Sequence, residues 1–458
     1  MKKNDILLLI LISLFSLPIF FLVDGYRDDF VRNYNGDMIW QREGRPFSYI
    51  ILYVLNLGGK ITNPFPLAQI ASIAIMFLTC RRLSNEFNIK NKTLAYLISA
   101  LLFLTPFFIQ NLSYQYDSLP MVASVSMAAI AGISGRVFIK FTLLFLSIST
   151  YQSALPIFFI FEGVRYFNHG NSKNILISMA IAAVTLLLYK MVVIKYFVYS
   201  DYATNASRML NPFSYDGIYS FFSNVNYYVS YFYSYYKPIP LIIYTSIVLI
   251  SLAILLLKWN KSVGFISVAS IISSILIFCI IDEYRLYVQP RVFVWSGALL
   301  VMCFYIITKS TEHIGAKTTR VISVLVCILL AYAISISCIY SYAYKKSIET
   351  DIENMNLILS SINDNDGTIL FSGSPIKSDI EERAINKYKF LDEVIGEKIT
   401  SWYSWYYFRN FGLNVNVRKA VDEEYPDCKD VVSKVNNNYM IYKTKENYIV
   451  FFGDVKCK

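Results

Sequence analysis

The run Asp24-Gly25-Tyr26-Arg27-Asp28-Asp29-Phe30-Val31-Arg32 is the densest polar cluster beside a long apolar segment. It continues through Asp37, Trp40, Arg42, Glu43, Gly44, Arg45 and Pro46. Adjacent residues point in different directions, so Asp28 and Asp29 are not expected to address one substrate atom. The arrangement fits one carboxylate facing a reaction while the other orients it or holds sugar hydroxyls. A carboxylate partly desolvated beside arginine stays ionised, as a general base must. Arginine supplies forked donors that match a phosphate. An acid beside a phosphate clamp points to group transfer from a phosphate-linked donor. A solvated loop with interfacial aromatics would account for Tyr26, Phe30 and Trp40, but not for two adjacent acids among four arginines.

Other chemistries have little material. The two histidines are His169 and His313, and no phosphate-binding loop, dinucleotide fingerprint, HExxH or CxxC pattern occurs. Carboxylates, arginines, tyrosines and amides must do the work. No cofactor or metal motif is present, and the sequence does not decide whether a divalent ion takes part.

The elements that position these residues are apolar helices. The chain has 458 residues, 55% hydrophobic and 16% charged, with a mean hydropathy of +0.45. Soluble domains carry about 25% charged residues, so disorder, collagen and small disulfide scaffolds are excluded and a polytopic membrane protein remains. About 20 apolar residues span the hydrocarbon core. Candidate spans are 5–23, 66–82, 93–111, 118–134, 137–150, 152–167, 174–194, 239–257, 262–281, 291–308 and 319–343. That is about eleven transmembrane helices (nine to twelve), since the short pair around Tyr151 also fits a re-entrant hairpin. Bulky residues before Asp24 offer no small-x-small cleavage site, so the first span is read as retained.

Charge sets the sidedness. Residues 1–343 hold 26 Lys+Arg against 14 Asp+Glu, whereas residues 344–458 hold 16 against 18. With the N-terminus in the cytoplasm, the inner loops carry Arg81-Arg82, Lys90 and Lys92, then Arg136 and Lys140, Arg165 and Lys173, Lys258 and Lys261, and finally Lys309, Lys317 and Arg320. The outer loops become 24–65, 112–117, 195–238 and 282–290, as the positive-inside rule requires. The positive excess is thus accounted for by topology, and no nucleic-acid partner is expected. An odd number of spans places residues 344–458 outside, as a small α+β domain. It reads as a helix (Ser347–Ser361), a strand (Thr368–Ser372) and a hairpin from Tyr439–Lys443 to Tyr448–Phe452.

Five cysteines (Cys80, Cys279, Cys303, Cys327 and Cys338) lie in or beside apolar spans, where a thiol packs as a small hydrophobe. Cys428 and Cys457 are the only pair in the outer domain. In an oxidising compartment they suit one disulfide closing a loop of about 30 residues, worth ~3 kcal/mol. Two unrelated thiols is the alternative.

The pattern Asp28-Asp29-x-x-Arg32, Trp40, Gly44-Arg45-Pro46 before an apolar helix resembles the N-terminus of the Glucosyltransferase II family. These are serotype-converting O-antigen glucosyltransferases of bacteria, similar to the GT-C superfamily. The likeness continues in Tyr114-Gln115-Tyr116-Asp117-Ser118-Leu119-Pro120-Met121, Tyr151-Gln152 and Gln289-Pro290-Arg291-Val292. It covers most of residues 1–310.

The resemblance implies a GT-C-like multi-pass enzyme of the bacterial inner membrane, with its N-terminus cytoplasmic and its C-terminal domain (344–458) periplasmic. The membrane-embedded glycosyltransferase domain would be 1–343. Such an enzyme moves a sugar, here most naturally glucose, from a polyprenyl-phosphate carrier to an O-antigen polysaccharide acceptor. It implies Asp28 or Asp29 as the base that deprotonates the acceptor hydroxyl, with inversion at the anomeric carbon. The carrier phosphate already leaves well, so positive groups matter more than a second acid. Arg32, Arg45, Arg285 and Arg291 are the candidates. Asp117, Tyr151, Gln152 and Gln289 are candidates for sugar or acceptor binding, although Asp117 also suits a cap for the helix starting at Ser118. The tyrosine-rich loop 195–238 suits sugar faces and lipid headgroups equally. Competing functions are a lipid-linked sugar flippase or transporter, an O-antigen polymerase and a structural subunit. A transporter should show internal repeats and charges at mid-membrane, and neither is evident.

Overall fold

The computed structural model describes residues 2–453, apart from 170–171, 207, 212, 259–260, 283–287, 313–314, 363–366, 421–430, 436–438 and 444–446. The chain forms two compact units. The first is Met1–Phe20, Met38–Lys60 and Pro64–Ser337; the second is Phe21–Asp37, Ile61–Asn63 and Cys338–Lys458.

Helices dominate the chain up to residue 360. In order they are α1 (Lys3–Leu22), α2 (Asp28–Asn35), α3 (Pro46–Leu55), α4 (Leu67–Glu86), α5 (Lys92–Ala100), α6 (Phe108–Ser113), α7 (Ser118–Ile133), α8 (Val137–Ile148) and α9 (Leu155–His169). Then follow α10 (Ser172–Leu188), α11 (Lys195–Phe197), α12 (Asp201–Ala206), α13 (Tyr215–Ser234), α14 (Pro238–Lys258), α15 (Lys261–Leu276), α16 (Trp295–Thr311) and α17 (Ala316–Ser360). Among the described residues, six stretches are long and apolar enough to cross a membrane: 3–22, 67–86, 175–197, 238–255, 290–311 and 316–360. The protein is therefore a polytopic helical membrane protein with a mixed α/β C-terminal region.

Several expected spans are shorter than a bilayer needs. The stretch 93–111 divides into α5 and α6 around a turn containing Pro106, which has no N–H to continue a helix. The stretches 118–134 and 137–150 form α7, with 16 residues, and α8, with 12 residues. The expected tail helix at 347–361 is the end of α17, a single helix of 45 residues.

In the first unit α7 packs against α4, α8 and α9. A Cβ on Gly132 would lie 2.6 Å from Phe161 Cβ and 2.7 Å from the Phe158 carbonyl, so only glycine allows α7 and α9 this approach. Reciprocal hydroxyl bonds join α7 to α8: Ser124 Oγ donates to the Ser147 carbonyl at 2.8 Å and Ser147 Oγ to the Ser124 carbonyl at 2.9 Å. The charged groups enclosed here are neutralised locally, because an unpaired charge at such depth is costly. Lys140 on α8 pairs with Glu162 on α9 and donates to Ser178 Oγ at 2.7 Å, while Arg165 reaches Glu162 at 3.1 Å.

The second unit is built on a five-stranded sheet of β1 (Thr368–Gly373), β2 (Val417–Lys419), β3 (Val431–Val435), β4 (Tyr439–Lys443) and β5 (Asn447–Phe452), in the order β2-β1-β5-β4-β3. Strand β1 runs parallel to β2 and β5, while β4 is antiparallel to β3 and β5. The expected hairpin is the β4–β5 pair, with Tyr439 opposite Phe452. Three short helices follow β1 or lie between the strands: α18 (Asp379–Lys387), α19 (Leu391–Ile395) and α20 (Ser404–Asn410). Residues Cys428 and Cys457 lie outside the described residues, as does Arg285.

A buried polar network ties this unit to the last turns of α17. Lys398 lies 3.7 Å from Asp351 and donates to Ser347 Oγ at 2.5 Å, and Tyr407 Oη donates to Asp351 at 3.0 Å. Burial pushes the carboxyls of Asp351 and Glu381 up, with Lys398 opposing it in each case. Both acids bind protons more tightly folded than unfolded, so their ionisation weakens the fold as pH rises above the ordinary carboxylate range. Removing the lysine should expose that penalty in full. Lys398→Met is expected to destabilise this unit by ~3–5 kcal/mol at neutral pH, measured by hydrogen exchange of β1 and α20 in the full chain. The deficit should shrink on acidification as both acids protonate.

Candidate active site

The segment that leads into α3 is anchored at Gly44. Its N–H donates to the Phe197 carbonyl at 2.8 Å, and its carbonyl accepts Tyr189 Oη at 2.9 Å and Gln152 Nε2 at 3.2 Å. Gln152 Nε2 also reaches Tyr189 Oη at 2.6 Å. Gly44 has φ +71°, and a Cβ there would meet Val198 Cγ2 at 2.9 Å and the Tyr189 hydroxyl at 3.0 Å. Tyr189 opens a π-helical segment, Tyr189–Ile194, that interrupts the rod of α10 and α11. Such bulges redirect side chains and collect at functional sites.

Around this anchor lies a cavity of about 400 Å³ in the first unit. Arg45, Arg291, Lys190, Glu43, Tyr151, Gln152 and Tyr189 line it on the polar side, and Ile148, Leu155, Leu186, Ile194, Val198 and Ile277 are among its apolar walls. The polar members are bonded to one another. Tyr151 Oη donates to the Arg291 carbonyl at 2.6 Å, while Arg291 Nη1 donates to Tyr114 Oη at 2.8 Å and its guanidinium lies 5.2 Å from the Tyr114 ring centre. The Arg291 N–H donates to Gln110 Oε1 at 3.0 Å, and Gln110 Nε2 reaches Gln289 Oε1 at 3.3 Å. A cavity of this size suits a small ligand. Its two arginines suit a phosphate, and its aliphatic walls suit a hydrocarbon.

Asp117 is elsewhere. It is buried, and its carboxylate accepts Trp40 Nε1 at 2.5 Å instead of capping α7. Through Trp40, whose carbonyl accepts the N–H of Arg45 at 2.9 Å, Asp117 steadies the loop that carries Arg45.

Asp28, Asp29 and Arg32 lie on α2 in the second unit. Asp29 is fully buried and accepts the Tyr26 N–H at 3.1 Å. Arg32, also buried, lies 3.6 Å from Asp28 and 3.7 Å from Asp29. The Asp28 side chain is 36% exposed, so of the two acids it is the one open to solvent. Helix α2 is held through Phe30, whose ring centre lies 5.9 Å from Tyr403 and 5.1 Å from Tyr407. Before it, Arg27 takes φ 48°, a conformation rare outside glycine, and donates to the Glu393 carbonyl at 2.7 Å. Burial pushes the Tyr403 and Tyr407 phenols up, which keeps the floor beneath α2 neutral.

The structure thus brings Arg45, Tyr151, Gln152 and Arg291 to one cavity and Asp28, Asp29 and Arg32 to one helix. Glu43, Tyr189, Lys190 and Tyr114 join the cavity cluster without having been singled out by sequence. Glu43 and Tyr114 sat inside the quoted motifs, but Tyr189 and Lys190 reach the cavity through a π-bulge that has no sequence period. Among the described residues, no three His, Cys, Asp or Glu side chains converge where a metal ion could sit.

Comparison with known proteins gives these residues a context. A protein of Salmonella phage P22, described as an uncharacterized 55.3 kDa protein in the gtrB 5′ region, is 28% identical over 223 residues. The match covers 45% of this chain and 46% of the phage protein, so it spans about half the length of that relative. No solved structure matches. The family described as glucosyl transferase GtrII matches residues 17–302, a stretch that includes α2, the cavity walls and Arg291. With well over half of its length matched, the chain belongs to the glucosyl transferase GtrII family, a GT-C-like family of glycosyltransferases.

Proposed function

We propose that this enzyme transfers a hexose, glucose by family, from a polyprenyl-phosphate carrier to O-antigen repeat units of lipopolysaccharide. The transfer would take place at the periplasmic face of the bacterial inner membrane, with the N-terminus cytoplasmic and the C-terminal domain periplasmic. The observation that carries the reading is the cavity that combines Arg45 and Arg291 with aliphatic walls. That combination matches a phosphate joined to an isoprenoid. The first isoprene would lie among Ile148, Leu155, Leu186 and Ile277, and the rest of the chain would continue into lipid.

In the reaction, the acceptor hydroxyl attacks the anomeric carbon and gives up its proton to a base, the role that the family resemblance implies for Asp28 or Asp29. The bond from the anomeric carbon to the phosphate oxygen breaks on the opposite side, which inverts the configuration. Polyprenyl phosphate leaves with the electron pair, and Arg45 and Arg291 meet its charge. Asp29 orients Asp28 through Arg32, which lies within 4 Å of both. Asp28 is preferred as base because Asp29 is sealed from solvent and holds the start of α2. Gln152 and Tyr189 keep Arg45 in place through Gly44.

Asp28→Asn should abolish transfer from a polyprenyl-phosphate hexose in purified membranes while expression and donor binding persist. Normal transfer by both Asp28→Asn and Asp29→Asn would remove the base from α2. Arg291→Ala and Arg45→Ala should each lower kcat about 10²–10³-fold, read in the same radiolabel assay. Passage of labelled lipid-linked sugar across the bilayer, with no glycosidic bond formed, would favour a flippase instead.

A further inference from the structure

The second unit carries an aromatic surface that the transfer step does not use. Tyr34, at the end of α2, meets Trp405 edge-on at 4.9 Å and Tyr406 at 5.6 Å, and the last two rings are 4.7 Å apart. The Arg409 guanidinium lies 4.0 Å from the Trp405 ring centre and donates to Tyr34 Oη at 3.3 Å. Amide side chains border the rings: Asn33 donates to Asn410 at 2.9 Å, and Trp405 Nε1 donates to Asn416 at 3.2 Å. Trp402, two residues before α20, is 71% exposed, and Tyr34 is 53% exposed. Trp402 and Trp405 lie three residues apart in the chain.

The geometry points to a polysaccharide-binding platform here, one that holds the acceptor chain; this rests on the transfer reaction proposed above. Rigid aromatic faces offer contact area to the C–H faces of sugar rings at little entropic cost, while asparagine and arginine supply adaptable donors and acceptors for hydroxyls. Tyrosine and tryptophan also settle at lipid headgroup depth, but the asparagine amides that border these rings suit sugar hydroxyls. Arg409, the cation among these rings, is committed to Trp405 and Tyr34. Position agrees as well. Asp28 opens α2 and Tyr34 lies six residues later, about 9 Å along a helix axis, so an acceptor presented to Asp28 has the platform within reach of its neighbouring sugars.

The test uses the full chain in lipid nanodiscs and O-polysaccharide freed from its lipid. Trp402→Ala, at a site too exposed to affect folding, should raise the acceptor KM about tenfold and leave the donor KM unmoved. Tyr34→Ala should act in the same direction. Direct titration of the same polysaccharide should weaken about tenfold in Trp402→Ala. Unchanged acceptor KM and unchanged binding would overturn the platform, as would quenching of Trp402 emission by brominated lipid with no response to polysaccharide. Titrating Asp28→Asn protein separates the two proposals. Binding that survives there and weakens with Trp402→Ala supports the platform even where no transfer from a polyprenyl donor is detected.

Discussion

The carbonyl of Gly44 is the point on which the cavity depends. It accepts hydrogen bonds from Tyr189 and Gln152, and the Gly44 N–H is held by Phe197. Three separate stretches of chain are thereby fastened to one peptide group: the segment that leads into α3, the turn before α9 and the π-helical end of the α10 rod. The left-handed backbone at Gly44 lets that group sit where a side chain would strike Val198 and Tyr189. Arg45 follows directly, so its place at the cavity is a consequence of the main-chain bonds beside it.

The polar groups fall into two sets. The first unit holds arginines beside aliphatic walls. The second holds carboxylates on α2 and exposed aromatics and amides around α20. Each set is embedded in a network that constrains it, through Trp40 and Asp117 in one and through Phe30, Tyr403 and Tyr407 in the other.

Much of this was legible in the sequence, for physical reasons. A low charge fraction and long apolar runs point to a membrane protein, and the β4–β5 pairing follows from two short, β-prone apolar runs at 439–443 and 448–452. Arg45 stood in the polar run before α3, while Tyr151, Gln152 and Arg291 were singled out by the family resemblance; all four line one cavity. What hid was geometry that local pattern does not encode. Pro106 and its turn divide one apolar run, and hydropathy alone does not register the break. No glycine or proline separates the last span from the tail helix, so α17 runs through both. The burial of Asp29 against the exposure of Asp28 depends on a backbone bond from Tyr26 and on Arg32, and adjacent identical residues look alike until folded.

Photolabelling of the intact enzyme with a polyprenyl phosphate bearing a diazirine in its first isoprene tests the central claim most directly. Crosslinks should map to peptides containing Ile148, Leu155, Leu186 and Ile277, and should disappear when unlabelled polyprenyl phosphate competes or when Arg45 and Arg291 are both replaced by alanine. Competable labelling confined to other helices, unchanged by the double replacement, would contradict it.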